Sequence, residues 1–510
     1  MDSKKLSKMA SLGKKLLRDE AAKQWGEWQT EKSGGDLLAF YQKRLAAFYD
    51  RPDLAKIIGE EKAADGYVAM EKTDVIFEDK GLRPLPPPFG KRAFHKLLQE
   101  EVNEKPIAIY IHIPFCKIKC SYCKFFKQVS SAQAEAEYVE KLLAELELMG
   151  SVHYLTGKPV EAVFLGGGTP GTLTGEQLSR ILETVHRTFP LSDDCEITVE
   201  SSIYDMNEAK METCMKAGAT RFSFGVQTFD TGLRRFLGRP DPCETVIQKL
   251  KAFASLGPKI IIDLIYGLPG QSWQLLQRDL EIFLACGICG MDLYKLQIFP
   301  GTPLGKRFQD NPGDFPVGRD LAALFVNAAE FLSGHGCHRL SCCHWSLEER
   351  EQNRYNSMAR SGAQILAFGA GCGGSLGGIS YMQPGDLNRY SAMVEKGEKP
   401  FVMAFKTDSY APFFAAITGQ FDRGVLEPEK IDSMSSIPFS ILLEPLFLRW
   451  QTNGLLVKTE AGYDLTPMGM FWQNQMNRAT MTAMQYLVYG PRVAGRKSSL
   501  NGMNLMENRK

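Results

Sequence analysis

Six short runs of β-branched and apolar residues alternate with longer amphipathic segments, and this alternation limits the possible folds more than any other feature. The six predicted strands begin at Ile107, Val160, Cys195, Thr220, Lys259 and Met291. Nearly continuous apolar strands separated by helices are typical of a parallel sheet with helices on its outside. Because six β/α units are too few for a closed eight-fold barrel, we predict an α/β fold with a partial (β/α)6 barrel. In such a fold, ligands bind at the carboxyl ends of the strands.

The segments on either side of this alternation differ from it in character. Residues 1–98 are charged and helix-favouring, and they end in the Pro-rich segment 83–88, which favours polyproline II and predicts a boundary. After residue 320 the alternation stops, and residues 442–476 read as a helix, a short hairpin and a second helix. We therefore predict a helical N-terminal extension and Pro-rich linker over 1–98, the partial barrel over 99–320, and an α+β, winged-helix-like C-terminal region over 321–510.

Composition excludes several classes of function. Lys and Arg number 60 against 59 Asp and Glu, a balance that argues against a dedicated nucleic-acid surface. The best apolar run, from Ile260 to Leu268, is too short to span a bilayer and contains Asp263. The first 20 residues lack a continuous apolar core, so they do not predict a secretory signal. We expect a cytoplasmic protein without a membrane span.

Three of the 12 cysteines form a compact array. Cys116, Cys120 and Cys123 have the spacing C-x3-C-x2-C directly after the first strand. Three thiolates in one loop can bind three irons of a [4Fe–4S] cubane and leave the fourth open, so that S-adenosylmethionine (SAM) can chelate it and be cleaved to a radical. The alternative is a structural zinc site, but zinc needs four ligands, usually from C-x2-C pairs. The nearest fourth ligand, His112, lies within the strand.

Polar or flexible groups also stand at the ends of later strands. The second strand ends in the glycine-rich run 166–170, where the backbone can approach a ligand closely. Glu200, Gln227 and Asp263 stand at three further strand ends. A charge in an apolar parallel strand is costly unless it is paired, so these residues predict a polar cavity, with salt bridges that cap the sheet as the alternative.

Four motifs together carry a resemblance to a known family. YIHIPFC from Tyr110, GGGTP from Gly166, FSFGVQTFD from Phe222 and DLIYGLPGQ from Asp263 resemble the HemN-type branch of the radical SAM superfamily over roughly residues 99–500. This branch includes oxygen-independent coproporphyrinogen oxidases, heme chaperones of the HemW type, and anaerobic heme-degrading methyltransferases of the ChuW/HutW or anaerobilin synthase type. The resemblance implies a radical SAM barrel that carries a [4Fe–4S] cluster and SAM.

The resemblance also implies roles for single residues. Tyr110 would shield the cluster, and Tyr122 would meet the adenine of SAM. The remaining SAM contacts would come from Gly167, Gly168 and Thr169 for the methionine moiety, and from Glu200, Gln227, Arg239 and Asp263 for the carboxylate and ribose. Some members bind a second SAM, whose site here would adjoin Ile265 and Gln297.

Within the branch, the motifs resemble the heme-degrading group. Coproporphyrinogen oxidases have a further cysteine two residues after the third ligand, and Phe125 occupies that position here. The segments that begin at His344 and Leu366 also look like the heme-degrading enzymes. We interpret the glycine-rich run after Leu366 as backbone laid flat against a large planar ligand, with a flexible surface loop as the alternative. The implied reaction opens heme without oxygen, methylates the linear tetrapyrrole product and releases iron.

Cys342, Cys343 and His344 are the predicted catalytic residues, which would contact heme or relay a proton or hydrogen atom. A lone histidine is more often structural, although imidazole suits iron as a ligand. We expect a low-potential electron donor such as flavodoxin as a partner. Three alternatives stay open: a heme chaperone of the HemW type, an oxidase-like enzyme that acts on coproporphyrinogen, and radical methylation of a different aromatic substrate.

Overall fold

The computed structural model describes residues 37–49, 66–70, 82–99, 106–124, 128–155, 157, 159–435 and 437–489. By its internal contacts the chain forms two compact units, one of residues 81–423 and one that combines residues 1–80 with 424–510. The three-part division with boundaries at residues 98 and 320 stays a prediction. Among the described residues, no helix is both long and apolar enough to cross a membrane.

The strands and helices are numbered along the chain. The described strands are β1 Leu82–Leu85, β2 Ile107–Ile113, β3 Phe115–Cys116, β4 Gln128–Val129, β5 Val160–Gly167, β6 Leu191–Ser201, β7 Arg221–Gln227, β8 Lys259–Tyr266, β9 Gly290–Lys295, β10 His338–Arg339, β11 His344–Ser346, β12 Gln364–Phe368, β13 Gly373–Leu376, β14 Ile379–Met382, β15 Met403–Thr407, β16 Val425–Leu426, β17 Leu456–Lys458 and β18 Tyr463–Leu465. The described α-helices are α1 Leu37–Tyr49, α2 Pro87–Leu97, α3 Ala132–Gly150, α4 Gly175–Thr188, α5 Glu208–Lys216, α6 Thr231–Leu237, α7 Cys243–Ser255, α8 Trp273–Ala285, α9 Pro303–Asp310, α10 Gly318–Gly334, α11 Arg354–Arg360, α12 Leu387–Glu395, α13 Ala411–Arg423, α14 Pro428–Asp432, α15 Phe439–Leu442, α16 Glu444–Thr452 and α17 Pro467–Tyr489.

The larger unit is built on one 13-stranded mixed sheet. In its centre, β2, β5, β6, β7, β8 and β9 follow one another, and each pairs in parallel with the next. Helices α3 to α8 lie in the connections between these strands. These strands are the six that the apolar runs indicate, so the predicted α/β fold with a partial barrel is confirmed.

The same sheet extends at both edges with strands from beyond position 320 and, at one edge, with β1 from before the barrel. On one edge β11 pairs antiparallel with β9, and β10 pairs with β11. On the other edge β12 pairs in parallel with β2, and β13, β14, β15 and β1 follow in antiparallel order. The Pro-rich segment forms the edge strand β1 and the first turn of α2, two places that tolerate proline because its missing N–H is not needed.

The burial pattern of β2 shows where the barrel interior lies. Ile109, Ile111 and Ile113 are fully buried, whereas Tyr110 and His112, whose side chains alternate with them, are only half-buried. Because successive side chains of a strand point to opposite faces, the isoleucines pack under the outer helices and the other two face the interior. The interior is therefore accessible enough to receive a ligand.

The smaller unit contains the predicted helix–hairpin–helix segment. Helix α16 is followed by the antiparallel pair β17 and β18 and then by α17, in the predicted order. Strand β16 adds to this pair on the β18 side and completes a three-stranded sheet.

Candidate active site

The three predicted cluster ligands lie on one loop at the carboxyl end of β2 and line one cavity. Cys116, in β3, is buried, and Cys120 and Cys123 are half-buried. The loop is fixed from outside, since the Ser121 amide donates to the carbonyl of Leu237 at 3.1 Å. The predicted placement of the three thiols around one space is therefore present in the fold.

The spacing of the thiols differs from that of a single-metal site. Within the described ranges, no group of three or more His, Cys, Asp or Glu side chains is placed to hold one metal ion. A cubane has no such requirement, because each thiolate binds a different iron. Burial raises the pKa of the Cys116 thiol, which also lies 3.5 Å from the Thr169 hydroxyl, and the charges of Cys123 and Cys120 raise it further.

The glycine-rich turn after β5 packs directly against the cysteine loop. The amide of Thr169 donates to the Phe115 carbonyl at 2.8 Å. A Cβ atom on Gly168 would lie 2.5 Å from that same carbonyl oxygen, and one on Gly167 would lie 2.6 Å from the ring of His112. Gly167 also has a φ of 119°, which side chains disfavour. Glycine is thus required here for the two turns to meet.

Glu200 and Gln227 stand at the ends of β6 and β7, as the sequence indicates. Burial raises the pKa of Glu200 to about 7, although the amide of Gly167 donates a hydrogen bond to it. Gln227 is buried and has a φ of 73°, a left-handed conformation next to a register shift in β7. A non-glycine residue in this region costs about 1–3 kcal/mol, and such strain concentrates at ligand sites.

Arg239 offers an unused donor to the cavity it lines. Its Nη2 donates to the hydroxyl of Tyr122 at 2.9 Å, but its buried Nε has no acceptor among the described residues. A buried donor without a partner costs about 1–3 kcal/mol, so an acceptor from a ligand would stabilise it. The Tyr122 ring itself packs against an apolar cluster that includes Leu237, Ile265 and Leu296.

Comparisons with known proteins agree with this geometry. Residues 110–282 match the Radical SAM superfamily. The fold resembles that of coproporphyrinogen III oxidase (HemN) from Escherichia coli with a TM-score of 0.69, at 20% identity, over 83% of this chain and 100% of the other. The chain is also 30% identical over 426 residues to anaerobilin synthase from Escherichia coli O157:H7, an alignment that covers 83% of this chain and 95% of that relative. The chain belongs to the HemN-type branch of the radical SAM superfamily. The heme chaperone HemW of Bacillus subtilis is a further relative, 31% identical over 292 residues, or 56% of this chain and 76% of its own.

The radical SAM family implies a [4Fe–4S] cluster and SAM, and the residues present fit both. The three cysteines, the turn residues Gly168 and Thr169, and Arg239 line one cavity, and Nε of Arg239 has no acceptor among the described residues. When bound, the cluster and SAM supply the reducing and radical chemistry of this family. The individual roles inferred for Tyr110, Tyr122 and the other SAM contacts stay predictions.

Neither residue predicted for a second SAM site, Ile265 or Gln297, lines the cysteine cavity. The Ile265 side chain packs into the apolar cluster beside Tyr122, and its carbonyl accepts a hydrogen bond from Gln271 at 3.1 Å. Gln297 follows β9 and is half-buried. A second SAM site at these residues stays a prediction. Phe125, on which the comparison with the oxidases depends, lies outside the described residues.

The side chains of the adjacent residues Cys342 and Cys343 lie in different environments. The thiol of Cys342 is buried and donates to the Phe421 carbonyl at 3.3 Å. The thiol of Cys343 lies 3.7 Å from Oδ1 of Asp292, on the barrel side, and is less enclosed. Only Cys343 is therefore placed near the polar interior.

His344 is completely buried between two carboxylates. Its Nδ1 lies 3.1 Å from Oδ2 of Asp292, and its Nε2 lies 3.2 Å from Oε1 of Glu351. The negative charge of Asp292 and the close contacts with both carboxylates outweigh burial and raise the pKa of His344 to about 9. Coordination of iron through either ring nitrogen would require one of these ion pairs to break.

The glycine-rich run after Leu366 forms strands β12 to β14. A Cβ atom on Gly374 would lie 2.5 Å from the carbonyl oxygen of Ile365, within the sheet itself. Gly377 and Gly378 have φ values of 52° and 77° and form the two-residue turn of a hairpin. At these positions the chain's own packing accounts for the glycines, and the interpretation of the run as a flat surface for a planar ligand stays a prediction. The alternative of a flexible loop is wrong, because the run forms strands.

Sequence reasoning missed an aromatic stack inside the barrel. Tyr355 on α11 stacks on Phe164 with ring centroids 4.7 Å apart, and Tyr110 lies 5.9 Å from Tyr355. Tyr110 and Phe164 are register partners on β2 and β5, so their contact follows from the pairing of the strands. No local pattern could indicate Tyr355, since it arrives from a helix near the end of the unit.

Replacing Gly168 by alanine is expected to weaken SAM binding by about tenfold and to lower cluster incorporation. The new methyl group would overlap the Phe115 carbonyl and push the cysteine loop away, at a cost of about 1–3 kcal/mol. Iron content and isothermal titration with SAM measure both effects. Gly313→Ala is the matched control, because nothing lies within 4 Å of its Cβ position. Equal behaviour of the two variants would contradict the close contact.

Proposed function

We propose that this chain is a radical SAM methyltransferase that opens the porphyrin ring of heme under anaerobic conditions, gives a methylated linear tetrapyrrole and releases iron. The observation that carries the proposal is the extent of the similarity to anaerobilin synthase, which covers 95% of that protein at 30% identity. The similarity to the HemW chaperone covers 76% of its length and only 56% of this chain. The likeness to coproporphyrinogen III oxidase, at 20% identity, supports the fold alone.

The chain's own residues supply groups that such a reaction needs. Burial and the neighbouring charge of Asp292 raise the pKa of Cys343 to about 11, so this residue stays a thiol at neutral pH. A thiol can donate a hydrogen atom to a carbon radical, and we propose this role for Cys343. His344 and Cys342 would then act through their neighbours, because both side chains are enclosed by protein groups.

The proposal also includes partners and a location. A low-potential one-electron donor such as flavodoxin would reduce the cluster, and the reaction would take place in the cytoplasm. A second SAM beside Ile265 and Gln297 would provide the methyl group. Each of these statements can be tested separately from the ring opening itself.

Anaerobic incubation of the reconstituted protein with heme, SAM and a strong reductant is expected to bleach the porphyrin absorption band. Mass spectrometry should show a linear tetrapyrrole that carries one added methyl group, and a chelator assay should show free iron. The Cys120→Ala variant is the control, since heme loss in that variant would be unrelated to the cluster. Persistent heme absorption with tight binding would contradict the proposal and favour the chaperone, for which the HemW relatives are the supporting observation. A methylated product from another aromatic compound would favour the alternative of radical methylation of a different aromatic substrate.

A further inference from the structure

A row of four residues crosses the barrel interior at one level. Gly225 on β7 is the register partner of Asp263 on β8, and Asp263 is the partner of Asp292 on β9. Asp292 is in turn the partner of His344 on β11. Because neighbouring strands lie about 4.8 Å apart, the two aspartates stand side by side on the same face of the sheet. Two carboxylates at this separation cannot both be ionised at low cost.

Only one of the two aspartates has a counter-charge. Asp292 is bridged by His344 to Glu351, and Nε of Arg221 donates to both oxygens of Glu351 at 3.1 Å. All four side chains are at most 4% exposed, so these contacts are little screened by water. Two carboxylates, an imidazolium and a guanidinium carry no net charge together. The charges of Asp292, His344, Glu351 and Arg221 therefore balance without a contribution from Asp263.

Asp263 itself is left without a direct partner. Among the described residues, no side chain makes a hydrogen bond or an ion pair with its carboxylate, although it lies in the barrel interior and is only partly accessible. Burial raises its pKa well above the usual value, and the charges of Asp292 and Glu200 raise it further. Burial alone would raise the pKa of Asp292 as well, but the charge of His344, whose Nδ1 lies 3.1 Å away, lowers it. The proton therefore stays on Asp263.

The charged and titratable groups that face Asp263 come from several elements of the barrel, namely Glu200 on β6, Arg221 on β7, Arg239 after α6, and Asp292 and Tyr294 on β9. Arg221 is paired with Glu351, and Arg239 donates through Nη2 to Tyr122 while its Nε has no acceptor among the described residues. The charges of both arginines lower the pKa of Asp263, against the larger effect of burial. Neither forms an ion pair with Asp263 in this arrangement. A ligand that brings a positive charge or hydroxyl donors would favour the ionised form of Asp263.

We propose that the Asp292–His344–Glu351 bridge is a positioning network that keeps Asp263 a neutral acid in the ligand-free protein and so couples SAM binding to the release of a proton. The inference rests on the family's use of SAM and deepens the proposed function. The proton passes from the Asp263 carboxyl group to solvent, and no bond other than O–H breaks. Below the pKa of Asp263, the affinity for SAM should fall about tenfold for each pH unit, and above it the affinity should level off.

Titration of the reconstituted holoenzyme with SAM in two buffers of different ionisation enthalpy counts the protons released. We expect release in the wild type at pH values below the raised pKa of Asp263, where the ligand-free protein still holds the proton. Glu200, with its own raised pKa, adds to this release, so the comparison with Asp292→Asn decides the question. That variant removes the like charge, and we expect it to release fewer protons and to bind SAM with a flatter dependence on pH.

Neither the control variant nor the outcomes that would contradict the proposal involve heme. Asp279→Asn removes an equally buried carboxylate, which lies on α8 and accepts from the Phe229 amide, and the pH dependence of this variant should match the wild type. An unchanged slope in Asp292→Asn, or weaker binding with the same slope at every pH, overturns the proposal. If that variant does not fold, an absence of proton release in the wild type overturns it equally. Because heme is not used, failure of the heme reaction would leave this result intact.

Discussion

Replacing Cys120 by alanine is expected to abolish the iron–sulfur absorbance of the reconstituted protein and to reduce SAM cleavage to background. Cys116, Cys120 and Cys123 share one cavity, and each would hold a different iron. Loss of one thiolate leaves two ligands for a cubane that needs three protein ligands and one open iron. Iron and sulfide content, the visible spectrum and the yield of 5′-deoxyadenosine measure the effect.

A matched cysteine elsewhere separates this effect from a general loss of folding. Cys195 is half-buried near the start of β6 and does not line the cysteine cavity. Cys195→Ala should therefore keep the cluster and the cleavage of SAM. Full cluster content in Cys120→Ala, or equal loss in both variants, would contradict the assignment of Cys120 as a ligand.

The central strands, the cysteine array and the glycine-rich turn could be predicted because each depends on a short, continuous stretch of sequence. Each central strand is a nearly continuous apolar run, and such runs leave a buried parallel strand as the simplest explanation. The cysteine array and the glycine-rich turn are each contiguous in sequence. Because each follows a strand of a parallel sheet, both are expected at the same edge of that sheet.

The edges of the sheet were not predictable in the same way. Strands β10 to β15 have only two to five residues each, too few for an alternation to stand out. The pairing of β12 with β2 joins Gln364 to Ile107, a contact that no local pattern encodes. The apolar residues of β12 were visible, but their partner was not.

The charged interior required knowledge of register. Arg221 and Asp292 lie within predicted strands, and an isolated charge in an apolar strand is the same signal that singled out Asp263. Whether such a charge meets a ligand or another side chain depends on which residue stands beside it. The structure answers this for Asp292, which pairs with His344 across β9 and β11. The left-handed backbone conformation of Gln227 could not be predicted from the sequence, because glutamine rarely adopts this conformation.

Replacing Lys399 by methionine is expected to lower the free energy of unfolding by about 3–5 kcal/mol, because it leaves a buried carboxylate without its cation. Nζ of Lys399 lies 2.5 Å from Oε1 of Glu145, and the two side chains are 2% and 0% exposed. The other oxygen of Glu145 accepts hydrogen bonds from the Gly369 amide at 2.9 Å and from the Tyr390 hydroxyl at 2.6 Å. The ion pair thus ties α3 to the segment between α12 and β15.

The same substitution at an exposed ion pair provides the control. Lys91 pairs with Glu398 at 2.8 Å, but the two side chains are 41% and 36% exposed. Solvent screens such a pair, and Lys91→Met should change stability by less than about 1 kcal/mol. Urea unfolding followed by tryptophan fluorescence compares the two variants.

A double variant distinguishes the lost charge from the lost packing. In Glu145→Gln combined with Lys399→Met, no charge remains buried, while the amide oxygen can still accept from Gly369. Replacement of both members of a buried pair is often close to neutral, so the double variant should recover most of the stability that Lys399→Met loses. If the two substitutions instead add, the loss comes from other contacts of Lys399, such as that of its Nζ with the Phe368 ring, whose centroid lies 4.2 Å away. In that case the ion pair is not what holds this segment to α3.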